Sequence, residues 1–153
     1  KVGYAFAPAE FTKALRAVHQ FTVFCSATPL QYGMIAALDL GEDYFQEFRR
    51  DYNARRMQLS ALLSEAGFTP CVAQGSYFML ANYAKLSPLP DIEFAKWLTE
   101  KVKVACIPIS VFYSEADKSQ EKAQNLQYVG FGFCKGANTL SAAAANFSTL
   151  LTR

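Results

Sequence analysis

The chain lacks most of the patterns that would assign a chemistry to it directly. It has one histidine, His19, with no acid or nucleophile near it in the sequence, and it has no HExxH, GxSxG or P-loop pattern. Its four cysteines are far apart and form no CxxC pair, so we expect buried thiols in a reducing cytoplasm rather than disulfides or zinc ligands. A net charge of +2 argues against nucleic acid or an anionic membrane as a partner. No apolar run has membrane-spanning length, and no signal peptide is visible.

What the chain does contain is an apolar composition and one long amphipathic segment. Of its 153 residues, 52% are hydrophobic and 18% are charged, which is typical of a globular protein with a proper core. From Glu42 to Ala66, apolar residues recur at steps of three and four between charged ones. This predicts a helix of about 25 residues and roughly 37 Å, which Gly67 ends as a left-handed C-cap. Because so long a helix usually joins two bodies, we expect the edge of one domain before it and a smaller domain after it.

The residues before the long helix predict a strand and two helices. The run from Val2 to Ala7 is apolar on both faces, which indicates a strand buried inside a larger sheet. The rest of the chain does not obviously supply that sheet, so we interpret it as the C-terminal piece of a larger protein. A short amphipathic helix is predicted around residues 11–18. Thr28 is predicted to cap the next helix, with proline at the first position and Gln31 bonding back to the cap.

After Gly67 the pattern changes to short strands and two helices. The predicted strands cover residues 71–73, 77–82, 104–109 and 128–134. One helix is predicted to begin with Asp91 as its N-cap, and the last helix is predicted to begin with Asn138 or Thr139. The polar run 114–127 predicts a loop.

A set of short motifs, in order along nearly the whole chain, carries a resemblance to a known family. They are Lys1-Val2-Gly3-Tyr4 with Ala7-Pro8, Val18-His19-Gln20, Thr28-Pro29-Leu30-Gln31, Gly75-Ser76-Tyr77-Phe78 and Ile107-Pro108-Ile109-Ser110-Val111-Phe112-Tyr113. Their order and spacing resemble the pyridoxal-phosphate-dependent aminotransferases of fold type I. The chain is most similar to the branch that contains the kynurenine, glutamine and methionine aminotransferases.

The resemblance implies an α/β enzyme, of which this chain is the C-terminal segment. Residues 1–41 would form the edge of the large cofactor domain, residues 42–66 the interdomain helix, and residues 67–153 the small α+β domain. It implies pyridoxal 5'-phosphate as the cofactor of the complete protein, which would be a cytoplasmic homodimer acting on an amino acid and a 2-oxo acid. In the family a lysine upstream of Lys1 forms the Schiff base. That lysine is not in this chain, so no catalytic residue is assigned and the isolated chain is expected to be inactive.

Three residues take site roles from the resemblance. Lys1 matches the basic residue that reaches the cofactor phosphate. Phe24 matches an aromatic residue that faces the substrate pocket across a dimer interface, although a buried turn is as good an interpretation. Gly130 occupies the position where the family has the arginine that binds the substrate's α-carboxylate. The sequence has no arginine between Arg56 and Arg153, so no shift of register restores it.

Two alternatives remain open at this point. The same cofactor and fold also carry out β-elimination of sulfur amino acids, and this segment does not separate a β-lyase from an aminotransferase. The chain could instead be a non-catalytic or degenerate module of the same fold, which the absence of the Schiff-base lysine and the glycine at position 130 favour.

Overall fold

The structure is a computed structural model that describes residues 1–114 and 127–148. It divides into two compact units, Lys1–Glu47 and Phe48–Arg153. The division falls inside the long helix, and each unit is described here by itself. No helix among the described residues is both long enough and apolar enough to span a membrane.

The first unit consists of an irregular stretch followed by helices. Residues 1–8 form neither helix nor strand, α1 is Ala9–Thr22, α2 is Thr28–Leu38, and α3 begins at Glu42. The predicted strand from Val2 to Ala7 is therefore wrong for this chain. A strand exists only where a neighbour pairs with its backbone, and no such neighbour lies among the described residues. Neither α1 nor α2 contains a buried residue, and Phe6 is 93% exposed.

The start of α2 differs from the predicted capping box by one position. Ala27 is the N-cap, Thr28 is already helical, and no side chain caps the helix. Gln31 does bond back toward the start, but its Nε2 donates to the carbonyl of Ser26 at 2.8 Å. The prediction that Thr28 caps the helix is wrong, because the helix begins one residue earlier, at Thr28 itself.

Helix α3, Glu42–Glu65, ends as the sequence predicts. Gly67 has φ +91° and donates its N–H to Ser64 at 3.1 Å, while Phe68 donates to Leu63 at 3.0 Å. These are the two bonds of a Schellman motif. A Cβ on Gly67 would lie 2.8 Å from Leu86 Cδ2, the end of a side chain that can move, so it is the positive φ that requires glycine here.

A four-stranded antiparallel sheet is the centre of the second unit. Its strands are β1 Thr69–Pro70, β2 Phe78–Asn82, β3 Ile107–Pro108 and β4 Tyr128–Gly132, in the spatial order β1-β2-β4-β3. The predicted strand at 71–73 is displaced: Thr69 and Pro70 pair with β2, and of the predicted residues Cys71 donates its N–H to the Leu80 carbonyl at 2.8 Å. Only residues 107–108 of the predicted strand 104–109 pair with β4, and a 3₁₀ turn, Ile109–Phe112, follows them.

Two further helices lie among the described residues of the second unit. The N-cap of the first lies one residue earlier than predicted, and the N-cap of the last lies two or three residues earlier. Helix α4 is Asp91–Trp97, with Pro90 as its N-cap, and continues into a π-helical turn, Leu98–Val102. Helix α5 is Ala137–Phe147, with Gly136 as its N-cap. The predicted caps at Asp91, Asn138 and Thr139 are therefore wrong. The helical turns after Gly136 include Leu140, whose side chain is buried in the core. The predicted loop 114–127 lies mostly outside the described residues.

The core of the second unit is rich in aromatic contacts. Phe68 makes edge contacts with Phe94, Phe131 and Phe147, with centroid distances of 5.5–6.1 Å. The ring of Tyr83 stacks on Phe94 at 3.9 Å and 3°. Trp97, the one tryptophan of the chain, lies against the same ring at 5.6 Å.

The cysteines differ from the prediction in their burial. Cys25, Cys71 and Cys134 are exposed, and only Cys106 is partly buried. The prediction of buried thiols is wrong for these three, because each lies in a loop or strand end where little packs over it. Among the described residues no group of three metal-ligating side chains comes together.

Candidate functional site

The two faces of the sheet differ in what covers them. Met79, Ala81, Val129 and Phe131 face the aromatic core and are almost fully buried. The opposite face carries the residues between them, Phe78 and Leu80 on β2 with Gly130 and Gly132 on β4. Phe78 is 41% exposed and Leu80 is 42% exposed. We call this second face, with the adjoining turn Ile109–Phe112, the open face.

Gly130 lies at the centre of the open face. It pairs with Leu80 on one side and with Ile107 on the other. A Cβ placed on it would be 3.6 Å from Ile109 Cδ1, 3.7 Å from Leu80 Cδ2 and 3.8 Å from the Ile107 carbonyl. These are ordinary contact distances, so position 130 can accept a side chain, and the side chains next to it are apolar.

A buried carboxylate connects helix α4 to the turn at the edge of this face. Asp91 is 8% exposed. Its Oδ2 accepts the backbone N–H of Ser110 at 2.7 Å, and its Oδ1 accepts the Ser110 hydroxyl at 2.9 Å. Oδ1 also accepts the N–H of Ile92 at 2.9 Å. The sequence pattern placed Asp91 correctly at the start of a helix, but a partner 19 residues away leaves no local signal.

Two titratable side chains near Asp91 are held in their neutral forms. Burial, with the Asp91 carboxylate as the second cause, raises the pKa of the Cys106 thiol to about 12. Burial, again with Asp91 as the second cause, also raises the pKa of Tyr83 well above its usual range. The Tyr83 hydroxyl donates to the Leu89 carbonyl at 2.9 Å. At neutral pH neither group can act as a base or as an anionic nucleophile.

A second concave region lies between α3 and the connection that precedes β2. It is an open groove of about 580 Å³, with Tyr52, Arg56, Tyr77 and Phe133 in its lining. The Nε and Nη2 atoms of Arg56 both donate to Asn53 Oδ1, at 3.2 and 2.8 Å, which fixes the guanidinium. Ser76, in the same lining, has φ +64°, an unusual backbone angle for a residue with a side chain.

The other two predicted site residues belong to the first unit. Lys1 is exposed. Phe24 is 78% exposed and has φ +68°, and its N–H donates to the His19 carbonyl at 3.0 Å. The buried turn considered for Phe24 is therefore wrong in this chain. No hydrogen bond or ring contact joins Phe24 to Lys1. The roles of Lys1, Phe24 and Gly130 in binding stay predictions.

Comparison with known proteins identifies the family to which this α+β unit and the long helix α3 belong. The family model "Aminotransferase class I and II" matches residues 1–121, and the chain belongs to this family. It is 35% identical over 150 residues to methionine aminotransferase of Escherichia coli. The aligned part covers 98% of this chain and 37% of that protein. It is 32% identical over 169 residues to kynurenine–oxoglutarate transaminase 3 of Rattus norvegicus, covering 100% of this chain and 36% of that protein.

Solved structures agree with the sequence relatives. N-succinyldiaminopimelate aminotransferase from Mycobacterium tuberculosis matches with a TM-score of 0.82 and 35% identity, over 94% of this chain and 36% of that one. The α/β fold of a type I pyridoxal-phosphate enzyme is thereby confirmed. The chain spans little more than a third of the length of these relatives.

The family depends on pyridoxal 5'-phosphate, but the described residues do not form a site for it by themselves. Lys1 is the one cofactor ligand that the sequence predicts, and it is exposed. One exposed ammonium group contributes only about 0–1 kcal/mol to an ion pair, which does not hold a phosphate. Binding of the cofactor therefore needs more than the groups described here.

Proposed function

We propose that the complete protein to which this chain belongs is a pyridoxal-phosphate-dependent aminotransferase. It transfers an amino group between an amino acid and a 2-oxo acid. The observation that carries the proposal is the match of the aminotransferase family model to residues 1–121, in a chain that spans 37% of a methionine aminotransferase. In this proposal α3 is the interdomain helix, and the four free thiols suit a reducing compartment such as the cytoplasm.

The three predicted site residues have separate roles in this proposal. Lys1 contacts the cofactor phosphate, because a compact cation suits a dianion. Phe24 faces the substrate pocket of the partner subunit in a homodimer. Its 78% exposure and its φ of +68° support this role, because backbone strain of this kind is concentrated at functional sites.

Gly130 bears on the kind of substrate. An arginine on this strand would bind an α-carboxylate through two parallel hydrogen bonds, and glycine provides none. Leu80 and Ile109 beside it are apolar and supply no replacement cation. Either the complete protein has lost recognition of amino acids, or its amino donor lacks the carboxylate, or the residue at position 130 was altered. The second case separates this protein from its relatives by substrate rather than by reaction.

A non-catalytic module of the same fold is the second candidate, and Gly130 is the observation that favours it. A β-lyase is a third possibility that shares the cofactor. One experiment separates all three. The complete protein and this chain are purified, incubated with pyridoxal 5'-phosphate, dialysed, and assayed with amino acids, amines and cysteine conjugates against a panel of 2-oxo acids.

The proposal expects the complete protein to retain visible cofactor absorbance and to convert a 2-oxo acid to an amino acid. The isolated chain should do neither. Retained cofactor with pyruvate and ammonia as products would identify a β-lyase, and no retained cofactor in the complete protein would support the non-catalytic module. Turnover by the isolated chain above the rate of free cofactor would contradict the assignment of the chemistry to residues outside it.

Assembly provides an independent check on the homodimer. The first unit exposes Tyr4, Phe6 and Phe21 among other large apolar side chains, and exposed apolar patches of this extent usually mark contact surfaces. We expect the complete protein to elute as a dimer and the isolated chain to self-associate. In light scattering, a complete protein that stays monomeric at all accessible concentrations would contradict the homodimer. An isolated chain that stays monomeric would contradict its self-association.

A further inference from the structure

We propose that Asp91 is a positioning residue: through Ser110 it fixes the turn Ile109–Phe112 at the edge of the open face, beside Gly130. We call the Asp91–Ser110 contact the clasp. Its role in substrate binding rests on the proposed function, because that function places the substrate on this face. The geometry of the clasp itself does not depend on it.

The clasp is the kind of contact that holds two segments firmly. Both oxygens of one carboxylate accept donors from a single residue, at 2.7 Å from the Ser110 N–H and 2.9 Å from its hydroxyl. Hydrogen bonds to an ionised acceptor are about twice as strong as neutral ones. Because Asp91 is only 8% exposed, water competes weakly for its oxygens.

The two ends of the clasp differ in how well the rest of the unit holds them. On the Asp91 side, α4 is anchored by Phe94 and Ala95, which are buried in the core at 0% and 6% exposure. On the Ser110 side, Ile109 and Ser110 are half-buried, but Val111 is 52% exposed and Phe112 is 73% exposed, so little packs around the second half of the turn. A single 3₁₀ turn also has weak internal hydrogen bonds. The carboxylate therefore transfers the rigidity of α4 to a segment that would otherwise be loosely held.

The clasp positions the apolar surface next to Gly130. This surface consists of Ile107 and Ile109, and we call it the wall. Ile107 pairs with Gly130, and the Cδ1 atom of Ile109 lies 3.6 Å from the place where a side chain at position 130 would begin. Ser110 is the next residue after Ile109, so a shift of Ser110 moves this wall. A ligand that reaches Gly130 meets an apolar surface whose place is set by Asp91, which makes Asp91 a determinant of which substrates fit.

The first arm of the test is hydrogen exchange on the chain as it is. Asp91→Asn keeps one acceptor oxygen and Ser110→Ala removes one donor, so each breaks one bond of the clasp. We expect the amides of Ser110 and Tyr113 to exchange roughly ten- to a hundredfold faster in both variants. Ser110→Thr keeps both donors and should restore protection. The matched control is Ser87→Ala, which removes a hydroxyl that accepts the N–H of Leu89 at 3.2 Å in the same unit.

The second arm measures transamination by the complete protein carrying the same substitutions. A displaced wall weakens substrate binding without changing the chemistry, so KM for the amino donor should rise about tenfold or more, with kcat and bound cofactor nearly unchanged. Ser87→Ala should leave KM where it is, and Ser110→Thr should restore it. A loss of general stability would instead lower the amount of folded, cofactor-bound enzyme and leave KM unchanged.

Each arm can overturn a different part of the proposal. Unchanged exchange in both clasp variants would show that Asp91 does not hold the turn. Faster exchange with an unchanged KM would show that the turn does not position the substrate. A complete protein that transaminates nothing would overturn the proposed function and, with it, the role of Asp91 in substrate binding. Hydrogen exchange would still show separately whether the clasp holds the turn.

Discussion

Restoring an arginine at position 130 in the complete protein tests the lost carboxylate contact most directly. The backbone at this buried position admits a Cβ, which would make contacts of 3.6–3.8 Å, and neighbouring Leu80 is 42% exposed, so solvent lies close to it. A bidentate arginine–carboxylate pair in a partly desolvated site contributes about 1.5–3 kcal/mol. Gly130→Arg should therefore bind an amino acid roughly ten to a hundred and fifty times more tightly.

The effect should depend on the carboxylate and not on the bulk of the side chain. Isothermal titration of the parent and the variant with an amino acid, and with the amine that its decarboxylation gives, separates the two. The amine offers the guanidinium no anion, so its affinity should not change. Gly130→Leu is the matched control for size and should not reproduce the gain.

The structure also predicts how a small side chain at position 130 changes the stability of the protein. Gly130→Ala adds a methyl group at ordinary contact distances and reduces the freedom of the unfolded chain, so it should stabilise by about 0.4–1 kcal/mol, a rise of about 1–4 °C in Tm. If Gly130→Arg folds with an unchanged Tm and binds the amino acid no better than the parent, the placement of Gly130 in the carboxylate site is refuted.

Three further predictions concern the chain alone. The segment 48–153 should unfold cooperatively by itself in urea, since it holds the whole described core; a broad, non-cooperative transition would contradict this. In urea unfolding of the whole chain, Phe94→Ala should lower the free energy of unfolding by about 3–5 kcal/mol, whereas Phe6→Ala, at 93% exposure, should change it by less than about 0.5 kcal/mol. Cys106 should resist iodoacetamide at pH 8 while the three exposed cysteines react, and equal labelling of all four by mass spectrometry would contradict its raised pKa. An unfolded thiol has a pKa near 9.0, whereas the pKa of native Cys106 is about 12. The contribution of the protonated Cys106 thiol to the free energy of unfolding should therefore be lost as pH rises from about 9 to 12.

Local patterns predicted the parts of the fold that local chemistry determines. Helix α3 begins at Glu42 and ends before Gly67 as expected, because a period of three to four residues and a glycine cap are properties of neighbouring residues. The predicted strand 128–134 likewise contains β4, Tyr128–Gly132. The run from Val2 to Ala7 is not a strand in this chain, because pairing depends on a partner that its own residues do not supply.

Residues of the candidate site could be predicted from the sequence only where the family resemblance assigns them a role. Gly130 was singled out because the family has another residue at that position, and the structure adds that its surroundings are apolar. The clasp was not predictable, since Asp91 and Ser110 are brought together by the sheet and α4. An aspartate at the start of a helix looks the same in sequence whether it caps that helix or bonds to a distant turn.

The position of Trp97 has a practical consequence. It is the one tryptophan of the chain, and it lies against Phe94 in the second unit. Intrinsic emission excited at the red edge of the indole band therefore comes from the second unit alone. Anyone who follows refolding of the chain by this signal observes the second unit assemble around α4 and is blind to residues 1–47, whatever those residues are doing at the time.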